Sequence, residues 1–232
     1  MSDFDLYYWP VPFRGQFIRG ILAFAGKTWT EHDGDEIDEI MGKLPADQPV
    51  PFMGSPLLID RTSGFAIAEM PAIALYLGET LNLLPLSPED RARSLKVVNG
   101  ANDVIDEITL DGGREMWTAE KWKEFVPRLK RWMEIWEATG AAHGLEERRG
   151  TMLGTDEPGV ADIVTAILWS TMTDRFDKIA ELFENTAPRV AALVNRMQAM
   201  PALAKLADDA RRDYGDAYCG GEIEKSLRKV AV

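Results

Sequence analysis

The residues of this chain whose types and spacing could do chemistry cluster near its start: Tyr7, Tyr8, Trp9, Arg14 and Arg19 in the stretch MSDFDLYYWPVPFRGQFIRG. A phenol hydroxyl is a hydrogen-bond donor and a guanidinium supplies positive potential, the combination that stabilises an anion. Adjacent strand residues face opposite sides of a sheet, so only one of Tyr7 and Tyr8 can point into a site. An ordinary half-buried strand tyrosine is the alternative that residue types alone leave open. No cysteine lies between Met1 and Ala25, which argues against thiol–disulfide chemistry here. Cys219 is the single cysteine, and with His32 and His143 it gives no metal-ligand spacing, so no metal is expected.

These residues need a strand and a helix to hold them. Asp5 to Trp9 is aromatic and β-prone, and Pro10 and Pro12 stop it, since proline cannot continue a sheet ladder. Phe17, Ile18, Ile21, Leu22 and Ala25 then share one face of a helix from Gly15 to Ala25, closed by Gly26. Thr28 to His32, Leu57 to Asp60 and Phe65 to Ile67 read as further strands, and a helix starts near Pro71 and runs to about Leu81. Past Leu84, Pro85, Ser87 and Pro88 read as a linker, and the rest reads as helical. Trp122, Phe125, Val126, Leu129, Trp132, Met133 and Trp136 recur at helical spacing, although Pro127 predicts a break. Ala161 to Phe176, Pro188 to Ala199 and Pro201 to Arg212 complete the helical runs, and the Gly220-Gly221 stretch reads as a tail.

The fold class is therefore a small α/β unit followed by an all-α unit, residues 1–84 and 85–232. A formal net charge of -12 opposes nucleic acid and anionic lipid as partners. The opening lacks a basic start and a long apolar core, and no run approaches ~18 apolar residues, so a cytoplasmic chain with no membrane partner is expected.

Leu6-Tyr7-Tyr8-Trp9-Pro10-Val11, with Arg14-Gly15 and Ile18-Arg19, resembles the first strand and helix of tyrosine-type glutathione S-transferases of the alpha, mu and pi classes. Ser55-Pro56-Leu57 is similar to that family's cis-proline segment, and Ala68-Glu69-Met70-Pro71-Ala72-Ile73 with Tyr76-Leu77 to its next helix entry. Gly159-Val160-Ala161-Asp162-Ile163 looks like its later capping box, in which Asp162 returns a hydrogen bond to the helix cap and specifies fold. The ordered set spans nearly the whole chain. It implies a thioredoxin-like βαβ-ββα domain, an all-helical domain, a homodimer, and no cofactor beyond glutathione as co-substrate.

The resemblance also implies what the site must do. A cysteine thiol titrates near ~8.5 and is only about 3% ionised at pH 7. Lowering that value by about two units takes roughly 2.7 kcal/mol, and one hydrogen bond to a charged group contributes ~1.5–3 kcal/mol. Tyr8 is the expected donor to the glutathione thiolate, with Arg14 adding positive potential. For the remainder of glutathione the resemblance implies Trp9, Lys43, Ser55, Pro56, Glu69 and Met70, and Asp103 reaching across a dimer. A solvated surface group is the alternative reading of Lys43, and a solvated helix face that of Asp103. Met70 stands where the family has a serine that binds the γ-glutamyl carboxylate, and a thioether is a poor substitute. Val11, Phe13, Met116 and Trp117 are expected to wall an apolar electrophile pocket, though such residues are commonly core. Conjugation, peroxidase, isomerase and dehalogenase chemistry would all use the same activated sulfur. A transferase-like interaction module without turnover is the alternative, since fold does not fix function.

Overall fold

The computed structural model describes residues 2–232. Its first part holds β1 (Phe4–Tyr7), α1 (Arg14–Phe24), β2 (Trp29–His32), α2 (Asp35–Met41), β3 (Leu57–Asp60), β4 (Ala66–Ala68) and α3 (Met70–Thr80). The strands form one sheet in the order β2-β1-β3-β4, with β1 parallel to β2 and antiparallel to β3, and β3 antiparallel to β4. Period-2 alternation sends Phe4, Leu6 and, one step beyond the strand, Tyr8 into the main core with Phe17, Ile18 and Ile73 of α1 and α3. Tyr7 goes to the other face, where it packs with Ile40, Met41 and Leu57 and stacks on His32 at 4.3 Å between ring centroids. Helices thus cover both faces of the sheet.

Among the described residues eight helices follow: α4 (Pro88–Ile108), the short turn α5 (Leu110–Gly113), α6 (Ala119–Ala142), α7 (Val160–Thr173), α8 (Asp177–Thr186), α9 (Pro188–Gln198), α10 (Pro201–Tyr214) and α11 (Gly221–Ala231). Every residue of α7 from Val160 to Met172 is buried, as an apolar-all-round helix requires. It packs against α1, α4 and α9, and so joins the helical part to the sheet part. The Asp162 carboxylate accepts the Gly159 N–H at 2.9 Å, the return hydrogen bond to the helix cap expected from the sequence, and also the Met152 N–H at 2.7 Å; Gly159 has no side chain to complete a reciprocal capping box.

Two expectations need correction. Pro127 does not break the helix: α6 runs unbroken from Ala119 to Ala142. Pro127 and Lys123 are both exposed, so the carbonyl that loses its partner four residues back faces water, while Trp122, Leu129, Met133 and Trp136 hold the opposite face in the core. The Gly220-Gly221 stretch is not a tail either. It opens α11, whose Leu227 and Ala231 are fully buried.

Candidate active site

The first residue of a helix carries an N–H with no intrahelical partner. In α1 that residue is Arg14, and its N–H donates to the Tyr8 hydroxyl oxygen at 2.9 Å. The contact is possible because the next residue is Gly15: a Cβ there would lie 2.4 Å from Tyr8 Cδ1 and 2.6 Å from Cγ. The first turn of α1 therefore sits directly on the tyrosine ring, and only glycine fits. Tyr8 is 2% exposed, and burial pushes its hydroxyl up to about 12 against the lowering effects of Arg14 and Arg19. The phenol stays protonated at neutral pH. With a lone pair engaged by Arg14, its proton is available to an acceptor in the adjoining cavity.

That cavity measures about 400 Å³. Six of the residues singled out in the sequence meet there: Tyr8, Trp9, Val11, Phe13, Arg14 and Ser55. The Trp9 ring meets the Tyr8 ring edge-on at 5.5 Å. Ser55 precedes a cis peptide bond to Pro56, and its Oγ is buried without a hydrogen-bond partner, the kind of group a bound polar ligand satisfies. The Arg14 guanidinium donates to Asp106 Oδ1 at 2.9 Å and to Asn102 Oδ1 at 3.3 Å, both on α4. Its charge is therefore shared with Asp106 rather than aimed freely at the cavity.

The loop from Trp9 to Phe13 is fixed from below by Arg19. This side chain is 2% exposed, pairs with Glu31 of β2 at 2.7 and 3.0 Å, and donates to the backbone carbonyls of Val11 and Trp9 at 3.0 and 3.4 Å. A buried guanidinium is tolerable only when its donors are satisfied in this way.

The other expected residues lie elsewhere. Lys43 is exposed and pairs with Glu39 at 3.3 Å. Met70 is 1% exposed and belongs to the core under α3. Glu69, just before α3, is exposed and held at φ 72 and ψ 120, backbone strain of the kind found at binding sites. Asp103 lines a separate cavity of about 430 Å³ between α4 and α6, with Trp132 and Trp136; burial, Glu107 and Asp106 push its carboxyl up. Trp117 is 5% exposed, and its indole N–H donates to the Ile108 carbonyl at 2.9 Å, so it is core rather than pocket wall. Met116 is 38% exposed and outside the cavity lining.

The wall expected from Met116 and Trp117 is built instead by Cys219, Gly220, Gly221 and Ile223 at the start of α11, with Gly112 of α5 and Thr109 just before it. Burial, with Glu224 adding to it, pushes the Cys219 thiol up to about 12, so it is no ready nucleophile. The sequence signal for this wall was the Gly-Gly pair preceding apolar residues at helical spacing, Ile223, Leu227, Val230 and Ala231.

Residues 93–230, more than half of the chain, match the family model described as glutathione S-transferase, C-terminal domain. The chain belongs to the glutathione S-transferase family. Among solved structures, NaGST-2 is similar with a TM-score of 0.71 and 23% identity, covering 90% of this chain and 97% of that one. An orthorhombic structure of NaGST1 is similar at TM-score 0.71 and 20% identity, with the same coverage. At these identities the likeness is one of fold, and it establishes a thioredoxin-like domain followed by the helical domain of the family. No curated protein matches the chain in sequence. Among the described residues, no helix of this transferase-family chain is long and apolar enough to cross a membrane.

Proposed function

We propose that the chain is a glutathione transferase in which the Tyr8 hydroxyl donates a hydrogen bond to the sulfur of bound glutathione and so favours the thiolate. One observation carries this reading: the phenol oxygen accepts from the Arg14 N–H while its own proton remains available beside the cavity. A donated N–H polarises the phenol and strengthens it as a donor, and a hydroxyl held protonated serves as donor rather than base. Ser55 would meet the cysteinyl portion, Trp9 the tripeptide and Glu69 the ammonium. The γ-glutamyl carboxylate would rest on the Met70 and Ala72 N–H groups in the first turn of α3, since Met70 offers no side-chain donor and Pro71 no N–H. The electrophile is an uncharged, mainly apolar small molecule lying against Val11, Phe13 and Ile223.

The protein would work in the cytoplasm as a homodimer, the usual state of the family, with the α4–α6 cavity and Asp103 facing the second copy. Lys43 is best read as a surface residue in this scheme, and no cofactor is required beyond the co-substrate. The test is glutathione-dependent conjugation of an aryl halide by the native chain and by Tyr8→Phe. Loss of one hydrogen bond to a charged group corresponds to a fall in kcat/KM between about tenfold and about 150-fold, with glutathione affinity nearly unchanged.

A second reading follows from Met70, whose burial removes the family's serine contact: a glutathione-family scaffold that binds partners without turnover. A native chain that conjugates no aryl halide while binding glutathione or proteins would favour it.

A further inference from the structure

The cavity wall opposite Tyr8 is irregular backbone, and irregular backbone must find partners for its N–H groups. Here the partner is one side chain. Glu224, the fourth residue of α11 and 7% exposed, accepts three consecutive N–H groups on Oε2: Tyr218 at 2.9 Å, Cys219 at 2.9 Å and Gly220 at 2.6 Å. Its other oxygen accepts from the Arg228 guanidinium at 2.6 and 2.9 Å. Burial pushes this carboxyl up, but the Gly220 and Tyr218 N–H groups and Arg228 outweigh it and hold the group below its ordinary range. Convergence of the three N–H groups depends on Gly220 at φ 76 and Gly221 at φ 68, both left-handed.

The backbone so held lines the cavity. A Cβ on Gly220 would lie 3.7 Å from Val11 Cγ1, so this wall and the Trp9–Phe13 loop approach each other across the opening. Next to it, Ile223 of the same wall meets Gly113 of the α5 turn, and behind it the Ser226 hydroxyl oxygen accepts the Trp117 backbone N–H at 3.0 Å. Glu224 itself is absent from the cavity lining.

We propose that Glu224 is a positioning residue for the electrophile face of the cavity: its carboxylate gathers the N–H groups of residues 218–220 and sets the gap between the Gly220–Gly221 backbone and Val11. This rests on the reading of the cavity as the transferase site. Glutathione contacts come from the other side, from Trp9, Ser55 and the start of α3, so the two substrates respond differently when Glu224 is altered.

The experiment compares native chain, Glu224→Gln and Glu224→Ala with 1-chloro-2,4-dinitrobenzene and glutathione, each varied at saturation of the other, with amide hydrogen exchange of residues 218–220 measured in parallel. Glu224→Gln keeps the shape but turns an amide NH2 against donors whichever way it lies, the three N–H groups on one side or Arg228 on the other, so it is the variant to use if Glu224→Ala does not fold. The expected result is a KM for the aryl halide raised about fivefold or more, a KM for glutathione changed by less than about twofold, and faster exchange at residues 218–220. A halide KM that stays at the native value in a folded variant, or equal rises in both KM values, overturns the proposal and leaves the Tyr8 assignment standing. A native chain that neither binds glutathione nor conjugates the halide overturns the transferase reading and this proposal together.

Discussion

The Tyr8 hydroxyl oxygen lies 2.9 Å from the backbone nitrogen of Arg14, the first residue of the helix that follows the first strand. The bond satisfies an orphan donor of the helix and leaves the phenol proton to be given elsewhere. Strand, loop and helix are thus joined at the one group to which the proposed chemistry is assigned.

Gly15 makes this geometry possible. Gly15→Ala would put a Cβ 2.4 Å from Tyr8 Cδ1, so either the ring or the helix must move. Overpacking of this kind costs about 1–3 kcal/mol. Urea denaturation should show that loss, and conjugation by the folded variant should fall toward the level of Tyr8→Phe although no functional atom is removed.

The pH profile follows from the state of the phenol. Burial holds Tyr8 protonated up to about 12, so kcat/KM should rise with ionisation of the glutathione thiol and show no descending limb from Tyr8 until the far alkaline range. The same raised value makes folding lose stability as pH climbs from ~10 toward the folded value, because the unfolded phenol ionises first. Rate measurements and alkaline unfolding of native chain and Tyr8→Phe check both halves.

His32 offers a separate test of electrostatics. Its ring nitrogens lie 2.9 Å from Asp5 and 2.8 Å from Glu36; burial lowers its pKa, but the two carboxylates outweigh burial and raise it. A raised value stabilises the fold fully below the unfolded pKa of ~6.5 and loses that contribution as pH rises through the folded value. His32→Gln should therefore cost more stability at about pH 5.5 than at about pH 9, measured by thermal or urea unfolding.

Asp162 serves the fold rather than the reaction. Asp162→Ala leaves the buried Met152 N–H and the Gly159 N–H without their acceptor, at about 1–3 kcal/mol for each group. The midpoint of urea unfolding should fall strongly, while the folded fraction keeps its glutathione affinity.

The sheet part was readable in the sequence because short aromatic and β-branched runs were punctuated by Pro10, Pro12 and Gly26, and the strands lie within a residue or two of where that pattern put them. Tyr8, Trp9, Val11, Phe13 and Arg14 could be grouped because they are neighbours in sequence, and neighbours at a strand–helix junction stay neighbours in space. The far wall could not be found that way. Cys219 and Ile223 meet Tyr8 only through the packing of α11 on α5, α6 and α8, and two glycines before a helix look like a frayed end until their left-handed φ values are known. Pro127 misled for a related reason: the tryptophan face of α6 outweighs one lost backbone bond on the exposed side. Met116 and Trp117 had suitable types for a pocket, but Trp117 is absorbed by the core.

Whether the Tyr8 hydroxyl stabilises the glutathione thiolate is read from ultraviolet titration of the thiolate in the glutathione complexes of the native chain and Tyr8→Phe. The bound thiol should titrate about two units below its free value of ~8.5 in the native complex and return close to that value in Tyr8→Phe. The same bound-thiol pKa in both complexes would contradict it.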